Sequence, residues 1–487
     1  MAETNMAKHD VAQHADPEKT PSVFVEDTEA RALTKSILWK LDTRVVPPLA
    51  LLYLCNFLDR ANVGNANILG LSTDLGITPS HYATALAVFF IFYVVSELPS
   101  NLILKRATPK VWLPILATAW GIVVLSLGFV RNYASFTVVR ALLGLTEGGL
   151  YPGCLLYLST MYTRQELALR IGIFYSMASL SGAFGGILAR GLSAIPTTEI
   201  VNQKWRWIFI IEGLITLAAG FIAVFLIPDS VETVRYFSDA EKKHARLRIK
   251  QSHSVEGSRT KPETFSWSEV RRGMLSLQVW FAGSAYFAIC CALFSFSLFL
   301  PSIIVGLGYT DPNQAQLMTV PPYAAGTVMA VVISILSDRL HLRGTLSLFT
   351  LPLAIIGYAV IARVDSNSVK FGMTFLMAVG IYSSVPPILV WVLNNSAGHY
   401  KRATSGALQV CMANVGGIVA AFLYPSTQSP RYYKSHNVAM GLLCYAWLAI
   451  LCNVLYCKKI NRDKANGKYN AYTGSGDDRD PAFKMVI

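Results

Sequence analysis

The chain has 487 residues, of which 53% are hydrophobic and only 15% are charged, and its formal net charge is +13. Soluble domains usually carry about 25% charged residues, whereas here apolar runs of roughly 20 residues recur, the length that crosses a hydrocarbon core. This composition excludes a soluble globular protein and indicates a polytopic membrane protein. The positive charge does not indicate nucleic-acid binding, because the basic residues follow membrane topology, as described below.

The chain divides by composition into five parts. Residues 1–43 are polar and predict a disordered cytosolic tail without a cleavable signal peptide. Residues 44–227 and 279–457 each contain six apolar spans. A charged central loop, residues 228–278, joins these two halves, and residues 458–487 form a short polar tail.

Twelve spans are predicted in chain order, and together they indicate an all-α membrane fold of two six-helix bundles related by pseudo-two-fold symmetry. The spans are 45–68, 82–104, 111–130, 136–158, 170–191, 206–227, 279–304, 315–336, 345–362, 371–393, 404–424 and 438–457. In the central loop, the spacing of Asp239–Lys250 predicts an amphipathic surface helix. For the loop as a whole, a solvated linker that ties the two halves together is at least as well supported as a regulatory role.

The distribution of basic residues predicts the orientation in the lipid bilayer. With the N-terminus inside, 32 of the 42 Lys and Arg residues lie on the cytosolic side, eight lie outside, and two, Arg60 and Arg140, lie within spans. Cytosolic loops carry such an excess in membrane proteins. Both termini are therefore expected in the cytosol.

Short basic turns follow corresponding spans of the two halves. Lys105 and Arg106 follow span two, and Asp338, Arg339 and Arg343 follow span eight, so this repeat supports a two-halved transporter. We expect these residues to act in gating. Glu97, near the cytosolic end of span two, is likewise expected to cap or latch a gate.

Charged side chains within the spans are concentrated in the first half. Asp59 and Arg60 lie in span one, and Arg140 and Glu147 lie in span four, on one helical face. Charges at membrane depth are costly and by default mark a pathway for an ion or a polar substrate. One interpretation is a fixed salt bridge between spans four and one. The other is proton-coupled anion binding, because a carboxylate desolvated beside another one binds protons more readily.

Four motifs resemble the anion:cation symporter family of the major facilitator superfamily, in particular its fungal allantoate-permease branch. They are NFLDRANVGNA at 56–66, ELPSN at 97–101, RALLGLTEGG at 140–149 and WRWIFIIEG at 205–213. The resemblance covers roughly residues 41–456. It implies uptake of a small organic anion, such as allantoate, nicotinate or pantothenate, together with protons.

The resemblance also implies roles for individual residues. It implies that Asp59, Arg60, Arg140 and Glu147 form the coupling network. We expect Asp59 and Glu147 to carry the proton, the only coupling ion expected, while Arg60 and Arg140 hold the substrate carboxylate or release the acids, and which arginine does which stays open. Asn414 matches a polar position near the substrate. In the second half, where no acid or base lies well inside a span, Gln409 is also expected to recognise the substrate.

Several alternatives remain at the level of sequence. An exporter of an acidic metabolite would use the same fold, and a non-transporting nutrient sensor is a further possibility. An enzyme is not expected, since no nucleophile, base and orienting group converge. The eight cysteines have no metal-binding spacing, so neither a metal nor a cofactor is expected. We expect a monomer in the plasma membrane.

Overall fold

The computed structural model describes residues 20–199, 201–253, 266–475 and 477–487, and within these ranges it is helical and contains no strand. The helices are α1 (Thr20–Arg44), α2 (Val46–Ile68), α3 (Leu71–Asp74), α4 (Pro79–Arg106), α5 (Pro109–Leu127), α6 (Tyr133–Glu147), α7 (Leu150–Met161), α8 (Arg164–Leu192), α9 (Lys204–Leu226), α10 (Asp239–His253), α11 (Trp267–Met274), α12 (Leu277–Gly306), α13 (Pro312–Leu340), α14 (Gly344–Ile361), α15 (Asn367–Asn394), α16 (His399–Ala421) and α17 (Tyr433–Ala465).

Eleven of the described helices are long and apolar enough to cross a membrane. The fourth predicted span, 136–158, is instead made of two helical segments, α6 and α7, which are separated at Gly148 and Gly149. Glycine has no side chain to pack and weakens a helix interior. The prediction of twelve spans is therefore confirmed, but the fourth span is not one continuous helix.

Helix ends follow local sequence signals. The side chain of Asn132 accepts a hydrogen bond from the Ser135 backbone N–H at the start of α6, and Thr163 and Glu166 form a capping box at the start of α8. These contacts satisfy backbone donors that the first turn of a helix leaves free. Proline occupies the first turn of α2, α4, α5 and α13, where its missing N–H has no cost.

The two halves meet through symmetric helix pairs. Helix α8 of the first half packs against α13 of the second, and α4 packs against α16. These are spans five and eight, and spans two and eleven, so exchanging the halves exchanges the two pairs. The first spans of the halves, α2 and α12, also contact each other. This arrangement is the one that a pseudo-two-fold axis between two six-span bundles produces.

Three glycines allow α4 and the fourth span to approach closely. A Cβ atom at Gly144 would collide with the backbone oxygen of Phe89, and Cβ atoms at Gly148 and Gly149 would collide with Ser96 and Ser100. Close approach of helix backbones through small residues is the usual packing mode of membrane helices. This contact places α6, which carries Glu147, against α4.

The segments before and after the spans are more ordered than the sequence predicts. Residues 20–44 form α1, with Ile37 and Leu41 fully buried, so the prediction of a disordered tail is wrong for this part, and residues 1–19 lie outside the described residues. The predicted central-loop helix is present as α10, which packs against α1. Burial of apolar side chains on α1 offsets the conformational entropy that is lost when this largely polar segment becomes ordered.

The C-terminal segment folds back onto the second half. The Trp391 indole and the Asn395 amide donate to the backbone oxygen of Val486, at 2.8 and 2.9 Å, and Lys401 Nζ lies 2.6 Å from Asp478. Burial opposes ionisation of Asp477, yet hydrogen bonds from Arg479 and the charge of Arg272 lower the pKa of its carboxyl to about 2. The last residues are thus part of the folded bundle.

Candidate functional site

Arg60 and Glu147, which the sequence placed in different spans, meet in the interior of the first half. The Arg60 guanidinium lies 3.3 Å from Glu147 Oε2 and donates a second hydrogen bond of 3.4 Å to Asn56 Oδ1. Arg60 is 4% exposed and Glu147 is fully buried. The contact uses one guanidinium nitrogen, so it lacks the bidentate geometry of the strongest Arg–carboxylate pairs.

Asp59 faces away from this pair. Its Oδ2 accepts hydrogen bonds from the Trp120 indole, at 2.8 Å, and from the Thr216 hydroxyl, at 3.2 Å. Consecutive residues of a helix point about 100° apart, so α2 presents Arg60 to α6 and Asp59 to α5 and α9. Among the described residues, Asp59 has neutral donors and no ion-pair partner.

Glu212 lies one turn of α9 from Thr216 and accepts a hydrogen bond from Asn62 of α2. Glu212 is 1% exposed, and one of its carboxylate oxygens has no partner among the described residues. Asn62 in turn accepts a hydrogen bond of 2.6 Å from Asn65. The first half therefore buries two acids, Asp59 and Glu212, at its α2–α9 interface, in addition to Glu147.

Arg140 is buried close to the Arg60–Glu147 pair. Its guanidinium carbon lies 5.9 Å from the ring centre of Phe89 and 5.7 Å from that of Phe136. Its Nε and one terminal nitrogen have no hydrogen-bond partner among the described residues. The structure thus brings both arginines to one region, and Arg140 retains unused donors there.

Aromatic rings surround the Arg60 guanidinium on several sides. Its central carbon lies within 6 Å of five ring centres, a distance at which cations are attracted by ring faces. The rings are Tyr93 at 4.8 Å, Phe57 at 4.9 Å, Phe89 at 5.1 Å, Phe294 at 5.5 Å and Phe90 at 5.8 Å. Phe294 belongs to the second half, so Arg60 lies where the two halves meet.

A small cavity lies beside Arg60, between the halves. It has a volume of about 30 Å³, which is room for about one water molecule. Its walls are Tyr53, Phe57, Arg60, Tyr93, Tyr151 and Tyr175 from the first half, and Tyr286, Cys290, Phe294, Val410, Ala413 and Asn414 from the second.

The tyrosines of this cavity were not predicted from the sequence. Tyrosine is normally enriched at the two membrane interfaces, whereas Tyr53, Tyr93, Tyr175 and Tyr286 lie well inside their helices. Tyrosines at mid-span in several helices were therefore a usable signal. This pattern alone does not predict a site, because only the tertiary structure shows that these side chains converge.

The two predicted polar residues of span eleven have different environments. Asn414 lines the cavity and donates a 3.1 Å hydrogen bond to Glu97 Oε2 of α4, which joins the two halves. Gln409 instead donates a 3.0 Å hydrogen bond to the backbone oxygen of Ile388 and is not among the residues that line the cavity. The structure therefore brings Asn414 and Glu97, but not Gln409, to the interface at the cavity.

The predicted gating turns differ between the halves. After α13, Arg343 pairs with Asp338 at 2.5 Å, and its backbone N–H donates to the terminal residue Ile487 at 2.8 Å. Arg339 of this turn is exposed, as is Arg106 in the first half. The side chain of Lys105 lies outside the part that the structure describes. Among the described residues of these two turns, the Asp338–Arg343 contact is the ion pair that is formed.

The chemistry of the site favours an anion. Around Arg60 and Arg140, four buried donors have no partner among the described residues: Arg60 Nε, Arg140 Nε and Nη2, and Asn56 Nδ2. The corresponding acceptors are Glu147 Oε1 and, on the other side of α2, Asp59 Oδ1. A buried donor without a hydrogen-bond partner destabilises the folded protein. A ligand whose carboxylate oxygens accept hydrogen bonds from these donors would therefore be stabilising. Within the described ranges, no group of three or more His, Cys, Asp and Glu residues could hold a metal ion.

Comparison with known proteins identifies the family. The model of the Major Facilitator Superfamily matches residues 49–421. An uncharacterized transporter of Schizosaccharomyces pombe is 34% identical over 449 residues, covering 91% of this chain and 89% of the relative. A high-affinity nicotinic acid transporter of Saccharomyces cerevisiae is 30% identical over 462 residues, covering 93% of this chain and 85% of the relative.

The fold agrees with that of solved transporters. A bacterial homologue of the human lysosomal transporter Spinster, crystallised in an inward-facing and unoccupied conformation, superposes with a TM-score of 0.64. That match covers 85% of this chain and 96% of the solved chain at 14% sequence identity. Together with the eleven long apolar helices and the two-segment fourth span, these findings show that the chain is a multi-pass membrane transporter, not an enzyme, and belongs to the Major Facilitator Superfamily.

Proposed function

We propose that this transporter imports a small organic anion together with protons, in the manner of the anion:cation symporters and their allantoate-permease branch. The observation that carries the proposal is the excess of unpaired buried donors around Arg60 and Arg140. A substrate carboxylate would occupy these donors. The aromatic walls of the cavity favour a planar, aromatic acid, and the nicotinic acid transporter among the relatives supports that choice.

Coupling to protons follows from the Arg60–Glu147 pair. When Glu147 is ionised, it competes with the substrate carboxylate for Arg60. A proton on Glu147 removes that competition, so proton binding and substrate binding favour each other. Asp59 would act as a second proton carrier from the opposite side of α2.

Transport would proceed by alternating access of the two halves. The cavity of about 30 Å³ is too small for an organic acid, so the halves must move apart to admit the substrate. The Glu97–Asn414 contact and the Asp338–Arg343 pair would open and close in this cycle. We expect a monomer in the plasma membrane with both termini in the cytosol.

The test is uptake of radiolabelled nicotinate in a yeast strain that lacks related permeases. We expect uptake to rise with external acidity and to be abolished by a protonophore. Nicotinamide, which has the same ring but no carboxylate, should not compete. The Glu147→Gln variant should lose the response to acidity, with the exposed Tyr445→Phe variant as control.

Two results would contradict the proposal. The first is a screen of organic acids in which none is taken up above the background of the host strain. The second is uptake that does not change between acidic and neutral medium and withstands the protonophore. Release from preloaded cells without uptake by intact cells would identify an exporter instead.

A further inference from the structure

Tyr151 is a buried side chain whose polar atom has no partner. It lies in α7, is 6% exposed and lines the cavity between the halves. Its hydroxyl is buried and makes no hydrogen bond to any described residue. A buried tyrosine hydroxyl normally has a hydrogen-bond partner, so this one is available to a ligand in the cavity.

The ring of Tyr151 is held in place by neighbouring rings. It stacks on Tyr53 at 5.5 Å between ring centres and on Phe174 at 6.2 Å. Tyr53 itself stacks on Phe174 at 4.2 Å. These contacts fix the direction of the hydroxyl without using its hydrogen-bonding capacity, which is the arrangement that a preorganised recognition group requires.

The positions of the charged pair and of Tyr151 define the length of the cavity. Two glycines interrupt the helix between Glu147 and Tyr151, so the spacing is given by the continuous helix α2. Arg60 and Tyr53 lie seven residues apart on α2, about 10 Å along its axis, and Tyr53 lines the cavity beside Tyr151. The cavity thus has a cationic end at Arg60 and a neutral hydroxyl end at Tyr151.

We propose that Tyr151 determines substrate specificity by donating a hydrogen bond to a ring acceptor on the side of the substrate away from its carboxylate. The substrate class is a planar aromatic monocarboxylate with an acceptor atom in the ring, for which a pyridine carboxylate is the simplest probe. This inference rests on the proposed function, because it places the carboxylate at Arg60. A site that is built to hydrogen-bond one ligand disfavours an isostere without the acceptor, since the buried hydroxyl then stays unpaired.

The experiment compares uptake of nicotinate and benzoate by the full-length transporter in yeast. The two acids have the same shape and charge, but only nicotinate has a ring nitrogen. We expect the wild type to prefer nicotinate, and Tyr151→Phe to raise the KM for nicotinate by about tenfold, the value of one hydrogen bond. The KM for benzoate should not rise.

Two controls separate recognition from folding. Phenylalanine keeps the ring that stacks on Tyr53 and Phe174, so surface expression and benzoate uptake report whether the variant folds. The exposed Tyr445→Phe variant should leave both KM values unchanged. If a variant has normal expression and unchanged benzoate uptake, a change in its nicotinate uptake is due to the missing hydroxyl.

The outcomes distinguish this inference from the proposed function. Equal uptake of nicotinate and benzoate by the wild type, or equal effects of Tyr151→Phe on both acids, would overturn the role of Tyr151 and leave organic-anion uptake intact. Failure of the wild type to import any aromatic carboxylate, while another organic acid is taken up, would overturn the inference and leave organic-anion uptake intact. Failure to import any organic acid would overturn the proposed function, and the inference together with it. A selective loss for nicotinate alone supports the inference.

Discussion

Arg60 is the residue at which the charge, the aromatic rings and the cavity come together. It faces Glu147 on one side and ring faces from both halves on the others. Its positive charge is compensated by one monodentate contact and by cation–π attraction, both weaker than a bidentate pair. The proposed function requires a cation that can exchange its partner for a substrate carboxylate, and a weakly held Arg60 meets that requirement.

The Arg60–Glu147 pair predicts a non-additive effect on stability. The Arg60→Met variant leaves Glu147 buried without its cation, and we expect a loss of about 3–5 kcal/mol. The double variant Arg60→Met, Glu147→Gln should be more stable than the single one, because no uncompensated carboxylate remains. Thermal unfolding of the purified protein in detergent measures both variants. A double variant that loses the sum of the two single effects would contradict this prediction.

At the scale of elements, the α4–α6 contact depends on the absence of side chains at three positions. Alanine is the better helix former by roughly 1 kcal/mol, so a Gly→Ala change is stabilising where space allows. At Gly144 the added methyl group meets the backbone of Phe89, which cannot rotate away as a side chain would. The helices must then separate, and Glu147 moves with α6.

We predict that Gly144→Ala destabilises the protein by about 1–3 kcal/mol, the usual cost of overpacking. It should also reduce transport, because Glu147 shifts relative to Arg60. Gly441→Ala is the matched control, since a Cβ atom there meets nothing within 4 Å. Thermal unfolding and uptake are measured for both variants. A Gly144→Ala variant that matches the control would show that α4 and α6 are not closely packed.

The contact between α1 and α10 joins the segment before the first span to the central loop. Lys40 Nζ lies 2.7 Å from Glu241, and the Ser36 hydroxyl donates to the same carboxylate at 2.6 Å. Although burial opposes ionisation, the hydrogen bonds from Lys40, Ser36 and the Ser238 backbone lower the pKa of Glu241 to about 2. The carboxyl is therefore ionised throughout the physiological range.

The sign of this shift predicts the pH dependence of the contact. Because the pKa of Glu241 is lower in the folded protein than its ordinary value of 4.5, the stabilisation is complete above that value and is lost as pH falls toward 2. Glu241→Gln should cost about 1.5–3 kcal/mol at neutral pH. Between weakly acidic and neutral pH, thermal unfolding should show a constant difference from the wild type. A difference that changes in this range would contradict the prediction.

At the scale of the whole molecule, the two halves are held together by a few polar contacts among apolar ones. On the face opposite the termini, the Ser193 hydroxyl donates a 2.7 Å hydrogen bond to Asn313. Near the cavity, Asn414 binds Glu97. Both contacts are neutral or singly charged, so each of them can break and re-form if the halves separate as proposed.

Alternating access predicts that fixing the Ser193–Asn313 contact stops transport. In a background without the partly exposed native cysteines Cys411, Cys444 and Cys452, the pair Ser193→Cys, Asn313→Cys should form a disulfide under oxidation and lose uptake. Reduction should restore uptake, and each single cysteine variant should be insensitive to oxidant. Full transport by the cross-linked protein would exclude separation of the halves at this contact.

Much of the fold could be read from the sequence because membrane helices are specified locally. Every backbone group within a bilayer must be satisfied inside its own helix, so length and hydropathy are sufficient to place spans. The fourth span was predicted as a single helix because its hydropathy is continuous, whereas the close packing of α4 on Gly144, Gly148 and Gly149 accompanies its division into α6 and α7. The helix α1 and the folded C-terminal segment were not predicted, because they are stabilised by contacts with residues that are far away in the sequence.

The sequence by itself determined the twelve spans, the two halves and the presence of charged residues in spans one and four. Only the tertiary structure decided that Arg60 faces Glu147, that Asp59 faces Trp120 and Thr216, and that the mid-span tyrosines line one cavity. The physical reason is that hydropathy and charge are properties of a segment. The direction of a side chain and the partner it meets depend on how several helices pack around it.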